Sequence, residues 1–262
     1  IASEMTKRNL DFWDRLFLEV ESLDKNGATE SEKYAMLRRL CFLLIGRDER
    51  ILDLASKTFT LHDFLALNSR LIGTGFVGGK AVGMLIARKI MLNEKSFDWN
   101  SLLEPHDSFY VGSDVFYTYI VQNGLWKVFL EHKTGEGYYS RAPELQQQML
   151  SGVFPDSINE QFMRIIEYFG QSPFIVRSSS LLEDTYGHAF AGKYESCFCV
   201  NQGSPQQRFD AFINAVRIVY ASTMNEDALA YREQRGLDRL DEQMALIVMR
   251  VSGIHRGRCF FP

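Results

Sequence analysis

The stretch Val176-Arg177-Ser178-Ser179-Ser180-Leu181-Leu182-Glu183-Asp184 is the most informative part of the chain, and it follows the apolar residues Phe174-Ile175. Phe174 to Val176 reads as a short buried strand, because aromatic and β-branched residues favour strands. An arginine and three hydroxyls then leave the strand end, where ligand sites are common in α/β folds. Arg177 can bind phosphate oxygens through two parallel hydrogen bonds. Alternatively, it braces the loop through an ion pair with Glu183 or Asp184.

A small-residue segment, Gly187-His188-Ala189-Phe190-Ala191-Gly192-Lys193, comes next along the chain. It separates the first strand from a second one, which we expect from Tyr194 to Val200. A flexible loop of this composition can fold over the phosphates of a nucleotide. The alternative is a plain hairpin connection in which Lys193 is solvated.

Upstream, a glycine-rich stretch over residues 71–80 ends in Gly78-Gly79-Lys80 and leads into a helix-compatible segment. Glycines allow backbone amides to approach a phosphate closely, and a helix N-terminus favours negative charge. Lys80 adds a full positive charge. The motif is not a Walker A loop, since Ala81 stands where that loop requires serine or threonine. A plain helix-start loop is the alternative interpretation.

The remaining pattern predicts a mixed fold of the α/β or α+β class. Residues 1–70 read as helical, with Thr60 as the cap of a short helix. The expected elements after them are a strand at 108–111, a helix over 113–130, a surface loop with some helix over 131–156, a helix opened by a Ser157–Glu160 capping box and ended by Gly170, a long helix from Pro205, and a buried strand over 244–251.

Composition excludes several classes of protein. The 262 residues include 29 lysines and arginines against 33 aspartates and glutamates, a net charge of −4. Binders of nucleic acid or of membrane surfaces usually carry a basic excess, so we expect neither partner.

Cys197 and Cys199 would share one face of a strand. We interpret them as apolar core residues and not as a metal or redox pair, and reduced thiols suit a cytoplasmic protein.

Taken together, the motifs resemble the N-terminal ATP-binding domain of the phosphoenolpyruvate synthase and pyruvate phosphate dikinase family. The resemblance covers residues 71–262, and residues 1–70 form a separate helical segment outside it. The matching motifs are Gly78-Gly79-Lys80, Val176-Arg177-Ser178-Ser179, Glu183-Asp184 and Phe190-Ala191-Gly192. The resemblance implies an ATP-grasp-like nucleotide-binding fold. Ile1 is not a natural start and the chain stops in an apolar segment, so we expect residues to be missing on both sides, including much of the second lobe.

The resemblance also implies roles for individual residues. Lys80 and Arg177 would contact the phosphates and act in catalysis, and Met249, where many relatives have glutamine, would lie near the adenine. The segment from Gly187 to Gly192 would cover the phosphates. The full set of implied ATP-binding residues is Gly78, Gly79, Lys80, Arg177, Ser178, Ser179, Glu183, Asp184, Gly187, Ala191, Gly192 and Met249.

Family membership would imply an ATP-dependent phosphotransferase of the pyruvate, water dikinase type. ATP and Mg²⁺ are the implied cofactors, and the phosphoryl group would pass to a histidine on a separate downstream domain. The magnesium-binding acidic residues of the family lie beyond Pro262, and none of the five histidines here has the family's surrounding motif. We therefore expect these residues alone to be inactive. The alternative is a nucleotide-binding or sensing module without transfer activity.

Overall fold

The computed structural model describes residues 10–25, 27–104, 107–183, 190, 192–257 and 259–261, without the side chain of His255. Its centre is a mixed five-stranded sheet in the order β1-β2-β5-β3-β4, in which only the β1–β2 pair is parallel. The last two strands form a separate hairpin. The strands are β1 (Leu71–Ile72), β2 (Ser108–Val111), β3 (Phe174–Ser180), β4 (Ser196–Cys199), β5 (Met244–Arg250), β6 (Ile254–Arg256) and β7 (Cys259–Phe261).

Helices cover both faces of this sheet. The first five lie on one face and the later ones on the other. The helices are α1 (Phe12–Lys25), α2 (Glu30–Leu40), α3 (Glu49–Thr58), α4 (Leu61–Asn68), α5 (Gly79–Asn93), α6 (Ser113–Gln122), α7 (Trp126–His132), α8 (Gly137–Ser140), α9 (Ala142–Ser151), α10 (Asp156–Phe169), α11 (Pro205–Ala221) and α12 (Glu226–Gln234). A π-helical turn, Cys41–Ile45, continues α2.

The apolar core has two parts, and strand β5 separates them. Successive side chains on a strand point to opposite faces. Leu246 and Val248 accordingly pack with the later helices, whereas Ile247 packs with the first five helices. The two layers of buried side chains hold β3 and β5 in the middle of the molecule. The end of β3, where the sequence concentrates its polar motif, is therefore fixed from both sides.

The helices before residue 71 agree with the predicted helical segment. Thr60 caps α4: its hydroxyl oxygen accepts a hydrogen bond from the Asp63 amide at 3.3 Å, and the Thr60 amide donates one to the Asp63 carboxylate at 2.7 Å. This is the reciprocal capping-box arrangement. Buried residues of α5 and β2, among them Ala81 and Tyr110, belong to the same apolar cluster as these helices. The division of the chain at residue 70 remains a prediction.

Two predictions for the middle of the chain were wrong. The helix expected over 113–130 is two helices, α6 and α7, because Gly124 adopts a φ of +67° between them. The loop expected over 131–156 is mostly helical, as α8 and α9. Leu145 and Met149 of α9 are fully buried one turn apart, which gives that helix an apolar face despite its polar composition.

The capping box predicted at Ser157 is also wrong. The predicted helix end at Gly170 and the predicted helix start at Pro205 are confirmed. Helix α10 begins at Asp156 after Pro155, and no side chain caps it. The fixed φ of Pro155 suits the start of a helix, so the helix begins before the serine. Gly170 ends α10 with a φ of +58°, and Pro205 begins α11 as predicted. Strand β3 runs four residues beyond Val176.

His132, at the end of α7, is expected to make stability depend on pH. Its ring is 4% exposed and stacks on Tyr138 at 5.1 Å. Burial, with help from the Arg232 charge, lowers the pKa of His132 from 6.5 to about 4. Between these values the unfolded chain binds more protons than the folded one, so stability falls as pH falls. Urea unfolding should lose about 2 kcal/mol from this group between about pH 7.5 and pH 5.

The matched variant is His132→Phe, which keeps an aromatic ring on Tyr138 and cannot be protonated. Its loss of stability over the same pH range should be smaller than that of the natural chain by about 2 kcal/mol. Equal losses in the two proteins would mean that His132 does not titrate in this range.

Candidate functional site

The glycine-rich loop between β1 and α5 packs directly against the end of β3. Gly78 has a φ of +85°, and a Cβ added to it would lie 1.4 Å from the carbonyl oxygen of Ser179. A Cβ on Gly79 would lie 1.8 Å from the carbonyl oxygen of Glu183. Backbone meets backbone at both positions, so no side chain fits. The two motifs that stand about 100 positions apart in sequence are thus joined here.

Ser179 connects the two motifs through its side chain. Its hydroxyl is buried, accepts a hydrogen bond from the Ala81 amide at 3.0 Å and donates one to the Val77 carbonyl at 3.0 Å. The backbone amides of Gly79 and Lys80, at the start of α5, have no hydrogen-bond acceptor within the described part of the chain. The first amides of a helix have no intrahelical partner and are suited to bind anions.

The Lys80 side chain contacts Ser178, which lies on the opposite face of β3 from Ser179. Its Nζ lies 3.1 Å from Glu183 Oε1 and donates to Ser178 Oγ at 3.2 Å. Glu183 is 1% exposed, and it also accepts from the Ser178 hydroxyl and the Ser180 amide, both at 2.8 Å. Burial raises the pKa of Glu183, against the opposing effect of the Lys80 charge. The carboxylate therefore neutralises Lys80 in the absence of a ligand.

Arg177 points to the opposite face of β3 from Ser178, because the two residues are neighbours on a strand. It is half-buried and makes no hydrogen bond or ion pair with any residue that the structure describes. An ion pair with Glu183, one of the two predicted braces, is absent, since Glu183 pairs with Lys80 instead. Asp184, the other predicted brace, lies outside the described residues. Arg177 is thus an uncompensated charge on the sheet face that also carries Ser179.

A row of apolar side chains lies beside Arg177 on that face. The register places Phe198 of β4 and Met249 of β5 on either side of Ile175. Phe198 is 71% exposed, whereas Ile175 and Met249 are half-buried. Met249 also packs at the edge of the cluster formed by the first helices. An apolar, partly open surface therefore adjoins the arginine.

The predicted covering loop is described only at its ends. Gly187 and Ala191 lie outside the described residues, as do the other positions from 184 to 189. Gly192 has a φ of +70° and open space around it. Phe190 is buried and stacks on Tyr194 at 5.3 Å. The segment is thus fixed at Glu183 on one side and at the Phe190–Tyr194 pair on the other.

A second buried polar cluster, which sequence reasoning missed, adjoins the site. Glu242 is 4% exposed, and it accepts hydrogen bonds from Ser180 Oγ, from the Tyr194 hydroxyl and from Arg232 Nη1, the last at 3.0 Å. Arg232 also donates to the Thr223 carbonyl at 2.6 Å. Burial and the Glu242 charge raise the pKa of Tyr194. Ser180 links this cluster to Glu183, so the two clusters hold both ends of the 184–189 segment.

The described residues contain no group of three or more His, Cys, Asp or Glu side chains that could hold a metal ion. Cys197 and Cys199 share one face of β4, opposite Val176 and Phe174, as predicted. Cys199 is buried in the core, while the other face of this edge strand is exposed.

Across the same described ranges, no helix has the length and apolar character needed to cross a membrane.

Comparisons with known proteins identify relatives of this site. Residues 74–256 match the family described as pyruvate phosphate dikinase, AMP/ATP-binding domain. The chain is also similar to phosphoenolpyruvate synthase of Escherichia coli (strain K12), with 32% identity over 96 residues. That alignment covers 37% of this chain and 11% of the relative, so the matched part is about a tenth of the longer protein. The family match includes the glycine-rich loop from Thr74, β3 and β5.

Proposed function

The chain belongs to the family of pyruvate phosphate dikinase AMP/ATP-binding domains, and from this premise we propose that it binds ATP at the junction of α5 and β3. The observation that carries the proposal is the meeting of Lys80, the acceptor-free amides of Gly79 and Lys80, and the end of β3. These groups supply what a triphosphate needs, which is backbone donors at a helix start and a full positive charge.

The phosphates replace Glu183 as the partner of Lys80 in this proposal. Burial raises the pKa of Glu183, which reflects the cost of keeping its charge buried, so the carboxylate is a weaker partner for Lys80 than a solvated one would be. Arg177 has no hydrogen-bond or ion-pair partner among the described residues, which leaves its guanidinium available to phosphate oxygens there. Ser178 accepts a hydrogen bond from Lys80 and donates to Glu183, and Ser179 donates to the Val77 carbonyl, so both hydroxyls already have partners.

The adenine lies on the row formed by Phe198, Ile175 and Met249. Along β3, Ile175 and Ser179 are four residues apart, or about 13 Å, a span that an extended nucleotide covers. Aromatic and apolar surface suits the faces of a base. This face is only partly covered in the described residues, which supports an ATP-grasp-like arrangement in which a second lobe closes over the nucleotide.

The family resemblance implies Mg²⁺, but the described residues do not provide a set of ligands for it. Magnesium prefers carboxylate oxygens together with phosphates and water. Glu183 is the one carboxylate of the described residues that contacts Lys80, and both of its oxygens already accept hydrogen bonds. The described residues therefore do not form a dedicated magnesium site.

The larger reaction is phosphoryl transfer from ATP to a histidine on another domain of a dikinase-type phosphotransferase, with these residues inactive by themselves. Positioning and charge neutralisation carry most of the catalysis in phosphoryl transfer, and Lys80 and Arg177 provide those. The similarity to a much longer phosphoenolpyruvate synthase supports this assignment. The alternative, a nucleotide-binding module without transfer, is favoured by Met249 in place of glutamine. Formation of AMP by the gene's full product separates the two.

Lys80→Gln is expected to weaken ATP binding by about 10- to 100-fold, because a hydrogen bond to a charged group contributes about 1.5 to 3 kcal/mol. Adenosine binding should change little, since Lys80 acts on phosphates. Isothermal titration calorimetry of the folded variant measures both affinities.

Glu183→Gln is the matched control, because it breaks the same ion pair and leaves the cation in place. ATP binding to this variant should be retained or tighter. A loss of ATP affinity as large as that of Lys80→Gln would mean that the ion pair has only a structural role, and the proposed contact would be wrong. Lys127→Gln, on an exposed lysine of α7, controls for net charge.

A further inference from the structure

A partly open pocket lies toward the opposite end of α5 from Lys80. Its volume is about 360 Å³, within the range of roughly 300 to 1,000 Å³ typical of small-molecule sites. Phe59, Phe64 and Leu67 from the helices before residue 71 form one wall, and Leu85 of α5 and Tyr110 of β2 face them. Helices outside the family match thus meet strands and a helix inside it. Pockets are frequent at such boundaries.

The charges around this cavity leave one cation uncompensated. Lys89 pairs with Asp63 at 2.7 Å. Arg70 pairs with Asp107 at 3.5 Å and also lies over the rings of Phe109 and Tyr168. Arg88 lines the cavity and has no hydrogen-bond or ion-pair partner in the described part of the chain. Asp107 also pairs with Arg250, at 2.7 Å. Among the described residues that line the cavity, Arg88 is thus the one cation without an ion-pair partner.

A buried hydroxyl adds a second unused polar group. Ser108, on β2, is 3% exposed and lines the cavity, and its Oγ has no hydrogen-bond partner among the described residues. Buried hydroxyls are nearly always hydrogen-bonded, so an unpaired one beside a cavity indicates a missing acceptor or donor. Its position at the start of β2 is remote in sequence from the glycine-rich loop.

We propose that this cavity binds a small organic monocarboxylate with an apolar body. The carboxylate accepts two parallel hydrogen bonds from the Arg88 guanidinium, a pairing that its planar geometry favours. Ser108 Oγ donates to the ligand, and the apolar body lies on Phe59, Phe64 and Leu67. Arg88 is the one lining cation of the described residues without an ion pair, and its planar guanidinium matches a single carboxylate group.

The site is distinct from the proposed ATP site. Arg88 and Lys80 are eight residues apart on α5, or about 12 Å along the helix. Both sites nevertheless share this one helix, whose N-terminal end bears the proposed phosphate contacts. The two can be tested independently because occupancy of the cavity does not require a nucleotide.

The test is calorimetric titration of the whole chain with 3-phenylpropionate, 3-phenylpropanol and inorganic phosphate. We expect 3-phenylpropionate to bind about tenfold or more tightly than the neutral alcohol, as a charge-assisted hydrogen bond predicts. Arg88→Gln should abolish that difference, while Arg239→Gln, an exposed arginine that does not line the cavity, should leave it unchanged. Saturating ATP should not displace the carboxylate.

Ser108→Ala provides a second variant that is expected to fold normally, since it removes a hydroxyl that bonds to none of the described residues. It should weaken 3-phenylpropionate binding several-fold with unfolding by urea unchanged or slightly improved. Three results with the natural chain would overturn the proposal: no binding of 3-phenylpropionate at millimolar concentration, equal affinity for the alcohol, or competition with ATP. Unchanged 3-phenylpropionate affinity in Arg88→Gln or Ser108→Ala would also overturn it. So would phosphate binding that depends on Arg88. Failure of ATP to bind would leave the cavity result standing.

Discussion

Gly78→Ala is expected to destabilise the protein by at least about 4 kcal/mol, which is exceptional for a single substitution. The added Cβ would lie 1.4 Å from the Ser179 carbonyl oxygen, a backbone atom that cannot rotate away. The φ of +85° adds roughly 1 to 2 kcal/mol for any residue with a Cβ. Relief requires the loop to leave the end of β3, which also breaks the Ala81–Ser179 hydrogen bond. Urea unfolding measures the loss.

Gly83→Ala is the matched control for this prediction. Gly83 lies inside α5, and a Cβ there meets no atom within 4 Å. Alanine is favoured over glycine in a helix by about 1 kcal/mol, so this variant should be more stable than the natural chain. A Gly78→Ala variant as stable as Gly83→Ala would show that the loop does not pack against β3 as described.

Arg232→Met is expected to cost about 3 to 5 kcal/mol, because it leaves Glu242 buried without its cation. Arg232 and Glu242 are 3% and 4% exposed, and Nη1 lies 3.0 Å from the carboxylate. The hydrogen bonds from Ser180 and Tyr194 to the same carboxylate remain, but they do not neutralise its charge. Equilibrium unfolding in urea at neutral pH gives the free energy.

The double variant Arg232→Met with Glu242→Gln tests the cause of that loss. A neutral amide can accept a hydrogen bond from one of the two hydroxyls and donate one to the other without a buried charge, so much of the stability should return. Arg239→Met, on an exposed arginine nearby in sequence, should change stability by less than about 0.5 kcal/mol. If the double variant is as unstable as Arg232→Met, packing of the arginine stem and not its charge explains the loss.

Local sequence patterns predicted the elements around the site. The apolar run before Arg177 forms β3, and the glycine-rich stretch before Lys80 leads into α5. These patterns work because propensity and turn chemistry depend on neighbouring residues. They fail where a neighbour overrides them. The Ser157 box has the right residues, yet the helix begins earlier because of Pro155.

Strand alternation also corrects a simple interpretation of the Arg-Ser-Ser motif. A run of consecutive polar residues suggests one cluster, but Arg177 and Ser178 occupy opposite faces of β3. Only Ser178 contacts Lys80. The motif therefore serves two surfaces at once, with the serines fixing the loop and the arginine on the open face.

The buried Glu242 cluster could not be predicted from any single stretch. Ser180 and Glu242 are 62 positions apart, and Tyr194 and Glu242 are 48 apart. Nothing local to Glu242 marks it as buried, since glutamates are usually exposed. The burial follows from the position of β5 between β2 and β3 in the sheet.

The sequence alone determined the chemical groups and the local elements: a lysine at a glycine-rich helix start, an arginine at the end of an apolar strand, and the family to which these motifs belong. The tertiary structure decided their partners. Lys80 pairs with Glu183 across 103 positions, Arg177 has no partner within the described ranges, and Arg88 and Ser108 line one cavity. The physical reason is that charge and propensity are properties of a residue and its neighbours. Burial and pairing depend instead on which distant segments the folded core brings together.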